Sequence, residues 1–224
     1  MAKSVNGQDF SFKSHKDFDN HISASVSSYD QMHDLIRNLL TFFIRPGSSI
    51  LDIGCTTGKF LNALAKENPE LDCYGIDIEN LITEENDENR FKFYQQDFLE
   101  ECIAHTKKNI ITSIFTMQFI EPKDKQEYIQ KAYDLLHEGG VLILCEKIIT
   151  RTGLEQKLFT FSHYDQKRKE FSEKEILGKE TKLRKIMFPN TETKLNQLVS
   201  NAGFNQKFKF FQSLYFIGYI CIKE

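Results

Sequence analysis

Apolar residues recur at spacings of three and four between Tyr29 and Ile44. Met32, Leu35, Ile36, Leu39, Leu40, Phe43 and Ile44 form one stripe, which predicts an amphipathic helix. Pro46-Gly47 stops it. The period then changes. Ser49 to Ile53 reads as a buried strand, and Phe60, Leu61, Leu64 and Ala65 as the inner face of the helix that follows. Asp72 to Ile78 predicts a second strand and Phe91 to Tyr94 a third, ending at Gln96-Asp97. Between them Asn80 to Asn89 is acidic and weakly patterned, so its helix is short or missing. Asn109 to Phe119 predicts a buried fourth strand. Pro122 opens a helix to His137, Gly139-Gly140 closes it, and Val141 to Ile148 is the fifth strand. Thr191 to Asn201 reads as a helix with Gly203 at its end, and Phe204 to Phe211 with Leu214 to Ile222 as an antiparallel pair.

Strands alternating with helices predict an α/β doubly wound sheet, Rossmann-like, mostly parallel, with an antiparallel C-terminal edge. One stretch breaks the alternation. Thr150 to Phe188 carries ten Lys/Arg, six Asp/Glu and the aromatics Phe159, Phe161, Tyr164 and Phe171. It reads as inserted helices, a lid or an oligomer contact. The whole chain, 1–224, is expected to be one domain, with an N-terminal tail and lid helix over 1–46 and a helical insert over 150–188.

Composition narrows the class. Hydrophobic content of 40% and charged content of 27% are those of a globular protein. A net charge of -3 gives no global attraction to nucleic acid, and acids interleave with the bases of the insert, so direct nucleic-acid binding is not expected. The five cysteines, at 55, 73, 102, 145 and 221, contain no C-x-x-C pair and read as reduced, in a cytoplasmic protein. The polar stretch from Met1 to Asn20 is no signal peptide, and Leu214 to Ile222 is too short to span a bilayer, so no membrane is expected. The dispersed histidines lack ligand spacing with cysteine, and no metal is expected.

The candidate chemistry centres on Asp52-Ile53-Gly54-Cys55-Thr56-Thr57-Gly58, where a strand ends in a glycine turn and a helix begins. Glycines let backbone N–H groups approach a ligand, and the helix start adds free donors and partial positive charge. The third glycine of the dinucleotide fingerprint is missing. The pattern is nearer D-x-G-x-[GST]-x-G and resembles the first motif of the S-adenosylmethionine (SAM) methyltransferase fold. An ordinary glycine turn is the alternative. Asp77, about twenty residues beyond the loop at the second strand end, suits ribose hydroxyls. Asp97 at the third strand end suits an adenine amino group, with Phe98 packing on the ring, and Met117 at the end of the fourth strand faces the sulfonium end. Each acid alone is equally a solvated or capping carboxylate. Weaker catalytic candidates are His163, Lys147 and Tyr164; their blander roles are packing, ion pairing and solvent contact.

From Tyr29 onwards, nearly nine-tenths of the chain, the sequence resembles the carboxy-SAM synthases. The likeness is carried by Thr56, Thr116-Met117-Gln118-Phe119-Ile120-Glu121-Pro122, Gly139-Gly140, Glu146-Lys147, His163-x-Asp165-x-Lys167-Arg168, Ser172-Glu173-x-Glu175-Ile176 and Ala202-Gly203-Phe204. The resemblance implies that Tyr29, Gly54, Cys55, Thr56, Asp77, Ile78, Asp97 and Phe98 contact SAM. It also implies a homodimer that converts SAM and prephenate to carboxy-SAM and phenylpyruvate for wobble-uridine modification of tRNA. Two positions depart from it. Gly178-Lys179-Glu180 stands where the family's Q-K-R run places a carboxylate-holding arginine, and Ile114 stands where the family has asparagine. Like-charge repulsion at Glu180 turns the expectation towards another reaction, unless a register slip brings Lys182 or Arg184 into the role. The leading expectation is therefore methyl transfer from SAM to a small molecule. Carboxy-SAM synthesis and non-catalytic SAM binding are the alternatives.

Overall fold

A computed structural model describes residues 18–82, 90–100 and 106–224. The tail from Met1 to Asp17, most of the acidic stretch Asn80 to Asn89, and Cys102 lie outside the described residues. Helices α1 (Phe18–Ser25) and α2 (Tyr29–Leu40) precede β1 (Ser49–Ile53), α3 (Lys59–Glu67), β2 (Asp72–Asp77), β3 (Lys92–Gln95) and β4 (Lys108–Ile114). Then come α4 (Lys125–Asp134), β5 (Leu136–Lys147), α5 (Gly153–Lys167), α6 (Glu173–Leu183), α7 (Glu192–Asn201), β6 (Gln206–Ser213) and β7 (Phe216–Ile222). Among the described residues no helix is long and apolar enough to cross a membrane.

The strands form one sheet in the order β3-β2-β1-β4-β5-β7-β6. The first five run parallel, and β7 pairs antiparallel with both β5 and β6. Ile50, Leu51, Ile110, Ile111 and the run Val141 to Cys145 are fully buried, because helices cover both faces of a parallel sheet. Chain order reverses between β1 and β4, so a crevice opens at the carboxyl ends of those strands.

Three expectations change. Gly139-Gly140 do not end a helix. The helix stops earlier, and the glycines sit inside β5 beside a register irregularity between Lys108 and Ile110. There Gly139 N–H donates to the Lys223 carbonyl (2.8 Å) at φ +74°, so the pair marks a kink in a strand. The fourth strand stops at Ile114 rather than Phe119. Phe115 turns to φ +57°, Thr116 Oγ1 donates to the Ile53 carbonyl (2.8 Å), and Met117–Phe119 forms a 3-10 turn. The third change is α1, which the pattern does not announce. Its eight residues hold too few apolar positions for a period, and long-range hydrogen bonds fix it.

The basic, aromatic stretch after β5 is helical, as expected. Thr152 caps α5, and Ser172 with Glu175 makes a capping box on α6. The segment leaves and returns at one place, because Ile149 bridges Thr191 and its N–H donates to the Asn190 carbonyl (2.9 Å).

Candidate functional site

The glycine loop is fixed by its own backbone and by β2. Gly54 and Cys55 N–H both donate to the Ile76 carbonyl, at 2.7 and 3.2 Å, and Gly58 N–H closes on Cys55 (2.8 Å). Gly54 sits at φ +76°, and a Cβ there would lie 2.3 Å from Thr116 Oγ1. Thr56 also takes a positive φ of 50°, which aims its N–H outward. That N–H donates to Asp77 Oδ2 (3.0 Å), while Glu79 N–H donates to Oδ1 (2.9 Å). The two hydrogen bonds pin the Asp77 carboxylate beside the loop. Burial nonetheless pushes its pKa up. Asp97 lies close by, since Gln96 N–H donates to the Asp77 carbonyl (2.8 Å); its own carboxylate accepts from Leu99 N–H (2.9 Å).

The other expected cofactor residues divide. Ile78 is 67% exposed, an apolar side chain left open beside Asp77. Tyr29 begins α2 and stacks on Phe115 across 6.3 Å, next to the β4 tip. Burial, with Asp19 and Asp52 nearby, raises its phenol well above the usual range. Asp52 lies beneath the loop, buried, accepting from Thr112 Oγ1 (2.6 Å), and burial lifts its pKa to about 7. Cys55 is buried against Gly75, and Met117 is fully buried. Phe98 does not offer its ring as expected. The ring is 4% exposed and packs edge-on to Tyr128 at 5.1 Å, because a phenyl group here completes the core.

SAM fits the arrangement on one observation above all. Asp77 accepts Thr56 N–H on one oxygen and Glu79 N–H on the other, its remaining lone pairs would suit ribose hydroxyls, and the exposed Ile78 would suit an adenine face.

The β5 tip carries the second group. His163 is 2% exposed, with both nitrogens engaged. Its Nε2 lies 2.8 Å from the Ser25 carbonyl, so that nitrogen carries the proton. Its Nδ1 then accepts from the Tyr215 hydroxyl. Burial lowers the ring pKa to about 4. The expected base role is corrected: the lone pair is already occupied, and the ring ties α1 to α5 and to the β6–β7 turn. Lys147 Nζ lies 4.8 Å over the Tyr215 ring, and burial lowers its pKa. Lys167, also buried, pairs with Glu180 (Nζ–Oε1 3.4 Å). Lys179 Nζ meets His21 Nε2 (2.6 Å) and Ser25 Oγ (3.0 Å). Burial pushes the Tyr164 phenol up, with Glu180 adding to the effect.

Sequence reasoning missed Ser25, Lys167, Lys179 and Tyr215 as neighbours of this edge, and Asp19 as a neighbour of the glycine loop. The run His163 to Arg168 and the run at Glu180 held the basic members. Nothing local marked α1 or Tyr215. Asp19 accepts from Thr57 Oγ1 (3.0 Å), so α1 also reaches the glycine loop.

Residues 28–206 match the family described as a methyltransferase domain. The chain is similar to a carboxy-S-adenosyl-L-methionine synthase from Nautilia profundicola, 33% identical over 84% of this chain and 83% of that one. Among solved structures it resembles the SAM-dependent methyltransferase SibL (TM-score 0.60, 13% identity), covering 95% of this chain and 60% of that one. It also resembles a TehB-like SAM-dependent methyltransferase from Corynebacterium glutamicum (TM-score 0.57, 14% identity), covering 87% of this chain and 95% of that one. The two structures speak for the fold.

Proposed function

We propose, for a chain that belongs to the methyltransferase-domain family and groups with the carboxy-S-adenosyl-L-methionine synthases, transfer of the SAM methyl group to a small molecule. The protein is a SAM-dependent enzyme. The observation that supports this reading is the Asp77 carboxylate, held by Thr56 and Glu79 N–H at the mouth of the glycine loop. In this reading Asp77 takes the ribose hydroxyls, Asp97 the adenine amine, and Ile78 one face of the base. Gly54, Cys55, Thr56 and Gly58 shape the loop above Asp52, and Tyr29 with Met117 borders the sulfonium end. When bound, SAM supplies an activated methyl. The chain's part is to orient an acceptor against it and exclude water. Lys147 and Tyr164 are the candidate side chains towards that acceptor.

A second reading is carboxy-SAM synthesis from SAM and prephenate, in the service of tRNA modification. Similarity over 84% of the chain supports it. Glu180 weighs against it, because a carboxylate paired to Lys167 stands where the resemblance expects a guanidinium. In either reading the chain is one domain acting in the cytoplasm, with the 150–188 segment as an insert. Leu154, Leu158 and Phe161 of α5 and Leu177 of α6 are exposed, which suits a homodimer.

Calorimetry with SAM and S-adenosylhomocysteine tests the cofactor; binding of both is expected, and binding of neither overturns both readings. Mass spectrometry of the ligand that co-purifies separates them, since carboxy-SAM is heavier by one carboxylate.

A further inference from the structure

Glu146, next to last in β5, is 1% exposed, and among the described residues neither of its carboxyl oxygens has a hydrogen-bond partner. Three donors act on it. The N–H groups of Met117 and Gln118, in the turn that follows β4, favour its ionised form without reaching hydrogen-bond geometry. Lys125, the first residue of α4, is equally buried, and its positive charge works in the same direction. Burial opposes both charges, raising the pKa of the acid and lowering that of the amine. Lys125 Nζ also donates to the Phe188 carbonyl, where the helical segment returns to the sheet. The turn itself is held at both ends. Thr116 Oγ1 donates to the Ile53 carbonyl (2.8 Å), Phe188 N–H donates to the Gln118 carbonyl (2.7 Å), and Lys147 N–H donates to Gln118 Oε1 (3.2 Å). A buried carboxyl short of hydrogen bonds does less for stability than an apolar side chain of its size, so stability does not account for Glu146.

We infer that Glu146 is a positioning residue, which draws the backbone of the Met117–Phe119 turn towards β5 and so sets the place of Met117 and of Thr116 against Gly54. Its role rests on the reading of the glycine loop and Met117 as the SAM site, and Glu146 acts on the cofactor only through that turn. The carboxyl attracts the two N–H groups, and Lys125 balances its charge. Lys125 in turn holds Phe188, whose own N–H closes on Gln118. A displaced turn reaches the glycine loop directly, because the two are in such close approach that a Cβ on Gly54 would lie 2.3 Å from Thr116 Oγ1. Glutamine at position 146 is nearly the same size, but it carries no charge for Lys125 and brings an NH2 group against these donors. It releases the turn without emptying the space.

The test reads S-adenosylhomocysteine affinity and the methionine methyl groups together, in the full chain and in Glu146→Gln. The chain has four methionines, so isotope-labelled methyl groups give few NMR signals, and that of Met117 is identified by its loss in Met117→Leu. Calorimetry is expected to show S-adenosylhomocysteine bound roughly tenfold more weakly by Glu146→Gln. The Met117 methyl of the free variant is expected to shift and its response to S-adenosylhomocysteine to shrink, while Met32, fully buried on α2, keeps its position. Unchanged affinity with an unmoved Met117 signal overturns the positioning role and leaves the cofactor reading standing. Displacement of Met32 together with Met117 also overturns it, because the carboxyl then supports the fold at large. An unmodified chain that binds no S-adenosylhomocysteine removes the cofactor reading and this role with it. Should Glu146→Gln fail to fold, Lys125→Gln decides: weaker S-adenosylhomocysteine binding with a shifted Met117 methyl supports the role, and unchanged binding overturns it.

Discussion

At the tips of β1, β2 and β3 the contacts are made by backbone. Gly54, Cys55 and Thr56 N–H groups are committed to the Ile76 carbonyl and the Asp77 carboxylate, within about two dozen residues of chain. At the tip of β5 they are made by long side chains gathered from far apart. Ser25 meets His163 across 138 positions, and His21 meets Lys179 across 158. Backbone geometry is set by turn chemistry, whereas the contacts at the β5 tip depend on the identity of each side chain. The first end is therefore local in the chain, and the second is assembled from its whole length.

Substitutions can break that contrast, and the largest effect falls at the backbone end. Asp77→Ala removes the carboxylate that the proposed reading assigns to the ribose hydroxyls. S-adenosylhomocysteine affinity is expected to fall at least roughly a hundredfold in calorimetry. Gly54→Ala forces a methyl group to within 2.3 Å of Thr116 Oγ1 at φ +76°. It is expected to cost roughly 2–4 kcal/mol in denaturant unfolding, and cofactor affinity with it. At the other end, Tyr215→Phe leaves His163 Nδ1 without its donor. A loss of about 1–2 kcal/mol is expected, with S-adenosylhomocysteine binding nearly unchanged. The same histidine gives a pH signature. Its pKa falls from 6.5 to about 4 on folding, so the native state binds fewer protons than the unfolded chain. Its contribution is present above pH 6.5 and is lost as pH falls towards 4, which melting curves across that window read directly.

The same contrast explains what could be read from the chain. β1, the glycine loop and Asp77 were legible because strand, turn and acid follow one another at fixed spacing, and the strands carry continuous apolar runs. The end of β4 was misread, because apolar residues continue through Phe119 although a positive φ at Phe115 breaks the ladder. Gly139-Gly140 looked like a helix stop, since a kink in a strand uses the same residues. α1 was invisible: the sequence FDNHISAS has no stripe, and its fold depends on Thr57, His163 and Lys179 elsewhere. His163 looked like a base because its type and setting fit one. Only coordinates reveal that the Tyr215 hydroxyl occupies the lone pair.

That helix has a mechanical consequence. Asp19 near one end of α1 grips Thr57, and Ser25 at the other holds His163 and Lys179. Eight residues of helix thus splint the glycine loop to α5 and α6, and a shift of α1 at either end strains hydrogen bonds at the other.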